Sequence, residues 1–186
     1  MSTEKGMILL PIARAAIARV LKVPHTADEP SPWLAEHGAC FVTLTQSGEL
    51  RGCIGSLQAH RSLLDDVKSN AVSAAMRDPR FTPLSAEELD ITTVEVSLLS
   101  ATQPMDVRDE ADALAQLRPH VDGVIFEYSR YRSTFLPQVW ESLAQPRQFL
   151  AMLRRKAGLP DDFWAEDVKL SRYSVTKWSE KEYQHG

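Results

Sequence analysis

An α+β fold, with a mostly antiparallel mixed sheet and helices packed on it, is the architecture this chain predicts. Three observations carry it. Residues 39–56 and 123–136 each read as a β-hairpin, two runs rich in β-branched and aromatic residues around a turn signal. Around them lie segments whose apolar residues recur every three or four positions, as in helices with one buried stripe. Capping serines, prolines and glycines punctuate the joints. With 186 residues, a single domain is favoured, and a chain of this length can bury about 70% of its unfolded surface without a disulfide or metal staple. Its core is expected over about residues 9–178, between flexible termini.

The first helix is expected from Leu9 to Leu21, where Ile12, Ala13, Ala16, Ile17, Val20 and Leu21 form the stripe and Pro11 falls in the first turn. Pro24 to Pro32 reads as a loop, anchored at its far end by Trp33 and Leu34. Ala39 to Thr45 and Leu50 to Ser56 are then the arms of the first hairpin, around Gln46-Ser47-Gly48-Glu49. A helix follows from Ser62 to Arg77, with Ser62 as cap, Asp65 at the third helical position, and Leu64, Val67, Ala71, Ala74 and Ala75 inward. Asp78-Pro79 ends it, because proline biases the residue before it away from the helical region. Ser85 to Glu88 is a further capping box.

Ile91 to Leu99 is the cleanest strand, with Val94, Val96 and Leu98 on one face and Thr93, Glu95 and Ser97 on the other. A helix over Asp109–Leu117, the second hairpin around Ser129-Arg130-Tyr131, and a helix over Pro146–Lys156 stopped by Gly158 come next. Val168 to Trp178 reads as a last strand and Glu180 to Gly186 as a frayed tail.

The chemistry-bearing residues concentrate in Leu50-Arg51-Gly52-Cys53-Ile54-Gly55-Ser56. Alternation places Arg51, Cys53 and Gly55 on one face, and the two glycines suggest open space on both sides of the thiol. A guanidinium two residues away favours the thiolate, which is the reactive form. Cys53 is thus a candidate nucleophile or ligand anchor, with Arg51, Gly52 and Gly55 at its substrate; the alternative is a small buried residue in a tight hairpin. Glu95, if its strand lies beside Cys53, can serve in proton transfer or orient a substrate; otherwise it is a solvated strand residue. Asn70, on or beside an inner helical stripe, holds a loop or touches a ligand. Arg80 binds an anion in bidentate fashion or locks its turn with a salt bridge. Gln138, after the strand-breaking Pro137, lines a pocket or sits idle beside the packed Val139 and Trp140. Arg130, Tyr131 and Arg132 form a small basic and aromatic cluster, a weak signal for nucleic acid beside the reading as an ordinary solvated turn.

A net charge of -4 argues mildly against broad binding to nucleic acid or acidic membranes. Cys40 and Cys53 are too few for a disulfide scaffold; a two-residue loop at Ser47-Gly48 would set Val42 opposite Cys53, with Cys40 diagonal to it on the same face. Both thiols are read as reduced and the protein as cytoplasmic. Arg14 and Arg19 interrupt the N-terminal apolar run, so neither a secretory signal nor a membrane span is expected. Phosphate-loop and dinucleotide fingerprints are absent from the sequence, and the five histidines lack close ligand spacing, so no dedicated metal site is expected. His60, seven residues after Cys53, leaves a cysteine–histidine pair conceivable.

Leu50 to Gly55 resembles the hexapeptide of the AMME chromosomal region (AMMECR) domain family. Asp78-Pro79-Arg80-Phe81, Glu95-Val96-Ser97, Phe135-Leu136-Pro137-Gln138-Val139-Trp140 and Lys156-Ala157-Gly158-Leu159 recur in the same order as in that family. The resemblance implies an α+β fold with a larger and a smaller lobe enclosing a cleft. It does not support the His60 pair, since relatives often lack histidine there. At Ser129-Arg130-Tyr131 the chain departs from the family, which often carries glycine at that tip, and this counts against a tight two-residue turn. The bacterial members are named for an AmmeMemoRadiSam system, which implies Memo-type and radical S-adenosylmethionine partners in a modification pathway. The iron–sulfur chemistry would be the partner's, because two cysteines cannot hold a four-cysteine cluster, so no cofactor is expected here. Two functions follow. One is an enzyme or enzyme component using Cys53 and Glu95; the other is a non-catalytic adaptor for protein or nucleic acid using the hexapeptide face.

Overall fold

The computed structural model describes residues 2–183 and divides into two compact units, Met1–Leu99 with Thr176–Gly186, and Ser100–Val175. Each carries its own four-stranded antiparallel sheet and its own apolar core. The α+β expectation is met, with antiparallel pairing in both sheets.

The larger unit begins with α1 (Ser2–Val20), longer than its stripe suggested. Pro11 therefore falls in mid-helix rather than in the first turn, and its exposed ring faces away from the core. The arms β1 (Ala39–Gln46) and β2 (Glu49–Gly55) close through a two-residue turn in which Ser47 and Gly48 both take positive φ, 51° and 81°. Next comes α2 (Leu63–Met76), capped by Ser62, whose hydroxyl accepts from the Asp65 backbone N–H. A single helical turn, α3 (Ala86–Leu89), carries the capping box in which Ser85 and Glu88 satisfy each other's backbone N–H groups. β3 (Thr93–Leu99) pairs with β1.

In the second unit, the two-residue β4 (Gln103–Pro104), α4 (Glu110–Gln116), β5 (Gly123–Tyr128) and β6 (Tyr131–Phe135) precede α5 (Pro146–Ala157) and β7 (Lys169–Tyr173). Strand order is β4-β7-β5-β6. The tip between β5 and β6 is a tight turn after all: Tyr128 pairs with Tyr131, and Ser129 adopts the left-handed conformation (φ 52°) that glycine would otherwise supply. The core centres on Trp140, which stacks on Phe149 with ring centroids 3.8 Å apart and donates its indole N–H to the Asp122 carbonyl. Gly158 ends α5 in the left-handed conformation (φ 97°).

The last strand splits at Ser174. β7 completes the second sheet, whereas β8 (Val175–Ser179) joins the first, in the order β2-β1-β3-β8. The tail is anchored, not frayed, as far as Tyr183: Glu180 accepts from Arg14 at 2.6 and 2.7 Å and from the Val94 backbone N–H at 2.7 Å. Residues 184–186 of that expectation lie outside the described residues. Among the described residues no helix is long and apolar enough to cross a membrane.

Candidate functional site

The first sheet has two unlike faces. Cys40, Val42, Leu44, Val94 and Val96 point inward and share one buried cluster with the apolar residues of α1 and α2. Phe41, Thr43, Cys53, Glu95 and Ser97 alternate to the opposite face and are half-buried. Cys53 and Cys40 thus lie on opposite faces, not diagonal on one. The cause is a β-bulge. Leu44 pairs with Gly52 and Thr45 with Leu50, which leaves Arg51 as an extra residue and shifts the register so that Thr43, not Val42, faces Cys53.

Nor do the two glycines leave room around the thiol. A Cβ on Gly52 would stand 2.2 Å from the Ala74 carbonyl oxygen of α2, so that glycine lets helix and strand touch backbone to backbone. A Cβ on Gly55 would stand 2.2 Å from the ring of Phe41, which lies across the strand. What reaches the sulfur is a hydroxyl: Cys53 Sγ and Thr43 Oγ1 are 3.2 Å apart. Cys40 is sealed in the core, and burial, with Asp66 close by, pushes its thiol far above the ordinary range.

The hexapeptide backbone is held from the loop after α2. Asp78 Oδ2 accepts the Cys53 backbone N–H at 3.0 Å, and both Asp78 oxygens take the guanidinium fork of Arg80, at 2.7 and 3.0 Å. Arg80 hydrogen bonds, reinforced by the backbone N–H groups of Cys53 and Arg80, hold the Asp78 carboxyl well below the usual carboxylate range against its own burial. Arg80 stays 55% exposed at its side chain, with Nη2 also 3.4 Å from the Cys53 carbonyl. Arg51 is differently placed. Its Nε and Nη2 donate to Glu88 at 3.0 and 3.3 Å, and the Glu88 carboxyl is lowered to about 2 by Arg51, by Gln46 and by the capping backbone N–H of Ser85. The guanidinia of Arg51 and Arg80 lie 5.9 and 5.4 Å from the centroid of the Phe81 ring.

Glu95 does not lie beside the hexapeptide strand. β1 runs between β2 and β3, so Cys53, Thr43 and Glu95 form one row across three strands. Two strand spacings put the Cα atoms of Cys53 and Glu95 about 10 Å apart. The carboxylate meets instead the ammonium of Lys177 on β8, at 3.7 Å. Read along the face, the row is thiol, hydroxyl, carboxylate and amine.

Asn70 has a structural post. Its amide donates to the Cys40 carbonyl at 2.9 Å, to Asp66 at 3.1 Å and to Ser56 at 3.2 Å, while Asp66 also takes Arg61 and the Cys40 N–H. This buried network pins the exit of β2 to α2. Gln138 is exposed and belongs to the second unit. His60 is exposed and its Nδ1 lies 3.1 Å from the Gln58 carbonyl, on its own loop. Arg130 stacks on Tyr131 at the exposed hairpin tip of the second unit. The sequence drew attention to Arg51, Cys53, Arg80 and Glu95 but passed over Thr43, Asp78, Glu88 and Lys177. Thr43 was legible as an alternate strand position; Asp78 stood in sight as a proline-preceding acid; nothing local marks Lys177.

Two antiparallel sheets in separate units, one bearing a bulged hairpin whose thiol faces a polar strand surface, define the class of protein. The chain belongs to the AMMECR1 family, whose model matches residues 10–178. It is 37% identical to a protein of Methanothermobacter thermautotrophicus, over 94% of both chains. It is likewise 37% identical to Protein MJ0810 of Methanocaldococcus jannaschii, over 98% of this chain and 93% of that one. Among solved structures, the uncharacterized protein PH0010 of Pyrococcus horikoshii superposes with a TM-score of 0.75 at 34% identity, covering 95% of this chain and 91% of that one.

Proposed function

We propose that the polar face of the first sheet is the working surface of an enzyme, or of one component of a multiprotein enzyme, with Cys53 as its reactive group. One observation carries this reading. The two thiols of the chain are split by the bulge, one sealed in the core and the other set against a hydroxyl on the polar face. A threonine O–H at 3.2 Å can donate to a thiolate and stabilise it, as a nucleophile or a ligand-anchoring sulfur requires.

Glu95 stands too far from Cys53 to take its proton directly. Its role is to accept or give a proton at the substrate, with the Lys177 ammonium beside it at 3.7 Å. Both guanidinia are held bidentately by a carboxylate, Arg80 by Asp78 and Arg51 by Glu88. Arg80 stays half-exposed beside the Cys53 carbonyl while Arg51 is nearly buried, so Arg80 is the better placed to meet an anionic group. The family resemblance adds Memo-type and radical S-adenosylmethionine proteins as partners, and a cytoplasmic modification pathway as the setting.

Iodoacetamide labelling of the folded protein across pH 6 to 9, read by peptide mass, tests the reading. Cys53 is expected to alkylate on the order of 100-fold faster than Cys40, and Thr43→Val to slow Cys53 about threefold at pH 7.5 by removing the hydroxyl. A Cys53 that stays unlabelled until the protein is denatured removes the nucleophile and leaves the adaptor function.

A further inference from the structure

A broad concavity of the first unit lies away from Cys53, on the helical side. It is a groove of about 1030 Å3 along the last two turns of α1, walled by α2 and by the loop at residues 22–29. Its floor is apolar and small-residued: Ile12, Ala15, Ala16 and Val20 from one side of α1, Val72 from α2, and Val23 from the loop. Its rim is basic. Arg19, Lys22, His25 and Lys68 line it against one acid, Glu29, which Lys68 already takes at 2.7 Å. Arg19 and Lys22 are exposed and have no ion-pair partner among the described residues.

In a chain of net charge -4, two unpaired cations bordering an apolar trough make a local field of the opposite sign. A volume of this size is at the upper end of small-ligand sites, which span roughly 300 to 1,000 Å3 and combine an apolar lining with a few polar groups. Lys22 also occupies an unusual conformation. It closes the C-terminus of α1 in the left-handed region (φ 62°), where glycine is the usual occupant, with the Val23 N–H reaching back to the Ala18 carbonyl at 2.8 Å. The chain thus keeps a lysine lining the groove at a position where glycine would be less strained.

We infer that this groove binds an amphipathic anion, a molecule with an acyl- or aryl-sized apolar body and one acidic head, whose head meets Arg19 and Lys22. The body lies over Ala15, Ala16 and Val72, and the head stays at the wet rim, so neither end is buried unpaired. This site is independent of the Cys53 face.

Fluorescence titration with 8-anilinonaphthalene-1-sulfonate, beside the uncharged N-phenyl-1-naphthylamine as the same body without the head, tests it. The sulfonate is expected to bind at one site about tenfold tighter than the amine, a margin that shrinks as salt rises. Lys22→Gly is the decisive variant: its urea midpoint should hold or rise, while sulfonate affinity falls about fivefold, and Arg19→Gln should lose a similar factor. Ala16→Trp, which fills the trough, should abolish binding of both probes. Competition by decanoate or by decyl phosphate supports the site and shows whether a carboxylate or a phosphate head is preferred. Equal affinity for the charged and neutral probes, an unchanged affinity in Lys22→Gly, or displacement by neither competitor overturns the inference.

Discussion

Replacing Gly52 with alanine is expected to destabilise the first unit by about 3 kcal/mol or more, from a single added methyl group. The methyl would have to occupy a point 2.2 Å from the Ala74 carbonyl oxygen and 3.1 Å from its carbon. A flexible side chain could swing aside, but a backbone carbonyl in the last turn of α2 cannot move without shifting the helix itself. Either α2 must lift from the sheet or β2 must bow outward, and α2 is packed on β1 and β2 through Val67, Ala71, Ala74 and Ala75, all nearly or wholly buried. Overpacking of close-packed interiors costs typically about 1–3 kcal/mol when side chains can give; here the yielding element is backbone, which places the effect at or above that range. Since whole domains are stable by about 5–15 kcal/mol, much of the folded population is at stake. Gly48→Ala makes the control. That glycine has a positive φ of 81° with nothing within 4 Å of the missing Cβ, so alanine there meets only conformational strain, about 1 kcal/mol. Urea midpoints of the two variants separate crowding from strain. A Gly52→Ala protein within 1 kcal/mol of the parent would mean that the close contact between α2 and β2 is not what holds the hexapeptide in place.

That contact also shows how much of this molecule could be read from its residues. The first hairpin was legible because Ser47-Gly48 is a turn pair between β-rich runs, and α2 because its cap, its stripe and Asp78-Pro79 mark both ends. The second hairpin, the helix stopped by Gly158 and the inward stripe of β3 were legible for the same local reasons. The face on which Cys53 lies relative to Cys40 was not. One extra residue at Arg51 changes the register, and since side chains alternate with period two, a one-residue slip moves a partner to the other face. No local pattern announces a bulge of that kind; the extra residue, Arg51, finds its partner in Glu88, 37 residues away. The separation of Glu95 from Cys53 was hidden for a related reason: alternation gives the face but not the strand order, and β1 turned out to lie between them. The anchored tail depends on Glu180 meeting Arg14 across 166 residues, a purely tertiary choice.

Asp78 is where the acid sensitivity of the candidate site should concentrate. Its carboxylate is buried, with a side chain 2% exposed, and accepts four hydrogen bonds: two from the Arg80 fork, one from the Arg80 backbone N–H at 3.1 Å and one from the Cys53 backbone N–H. These favour the charged form, so the folded-state carboxyl titrates well below an unfolded aspartate, which titrates near about 3.9. The sign follows from linkage. The unfolded state binds its proton first as pH falls, so the stabilisation from Asp78 is complete above about pH 4 and is lost progressively below it, down to the depressed folded value. Glu88, lowered to about 2 by Arg51, loses its share over the same acid range. Asp78→Asn keeps the shape but removes the charge and turns an N–H2 toward either the Arg80 fork or the Cys53 N–H, leaving donor facing donor. Breaking a buried charged pair costs about 3–5 kcal/mol when both partners are sealed. Arg80 is 55% exposed and can return to water, so a loss of about 2–3 kcal/mol at pH 7 is expected. Urea unfolding of parent and variant from pH 2 to pH 8 gives the check: a constant gap between midpoints above about pH 5 should narrow as the medium is acidified, because protonation does to the parent what the substitution did to the variant. The same variant frees the Cys53 backbone, so its alkylation rate at neutral pH should change while that of Cys40 does not. A gap that stays equally wide at pH 2.5 and pH 7 would show that Asp78 titrates alike in the folded and the unfolded chain, and the clamp on the hexapeptide strand would have to be assigned to the Arg51–Glu88 pair instead.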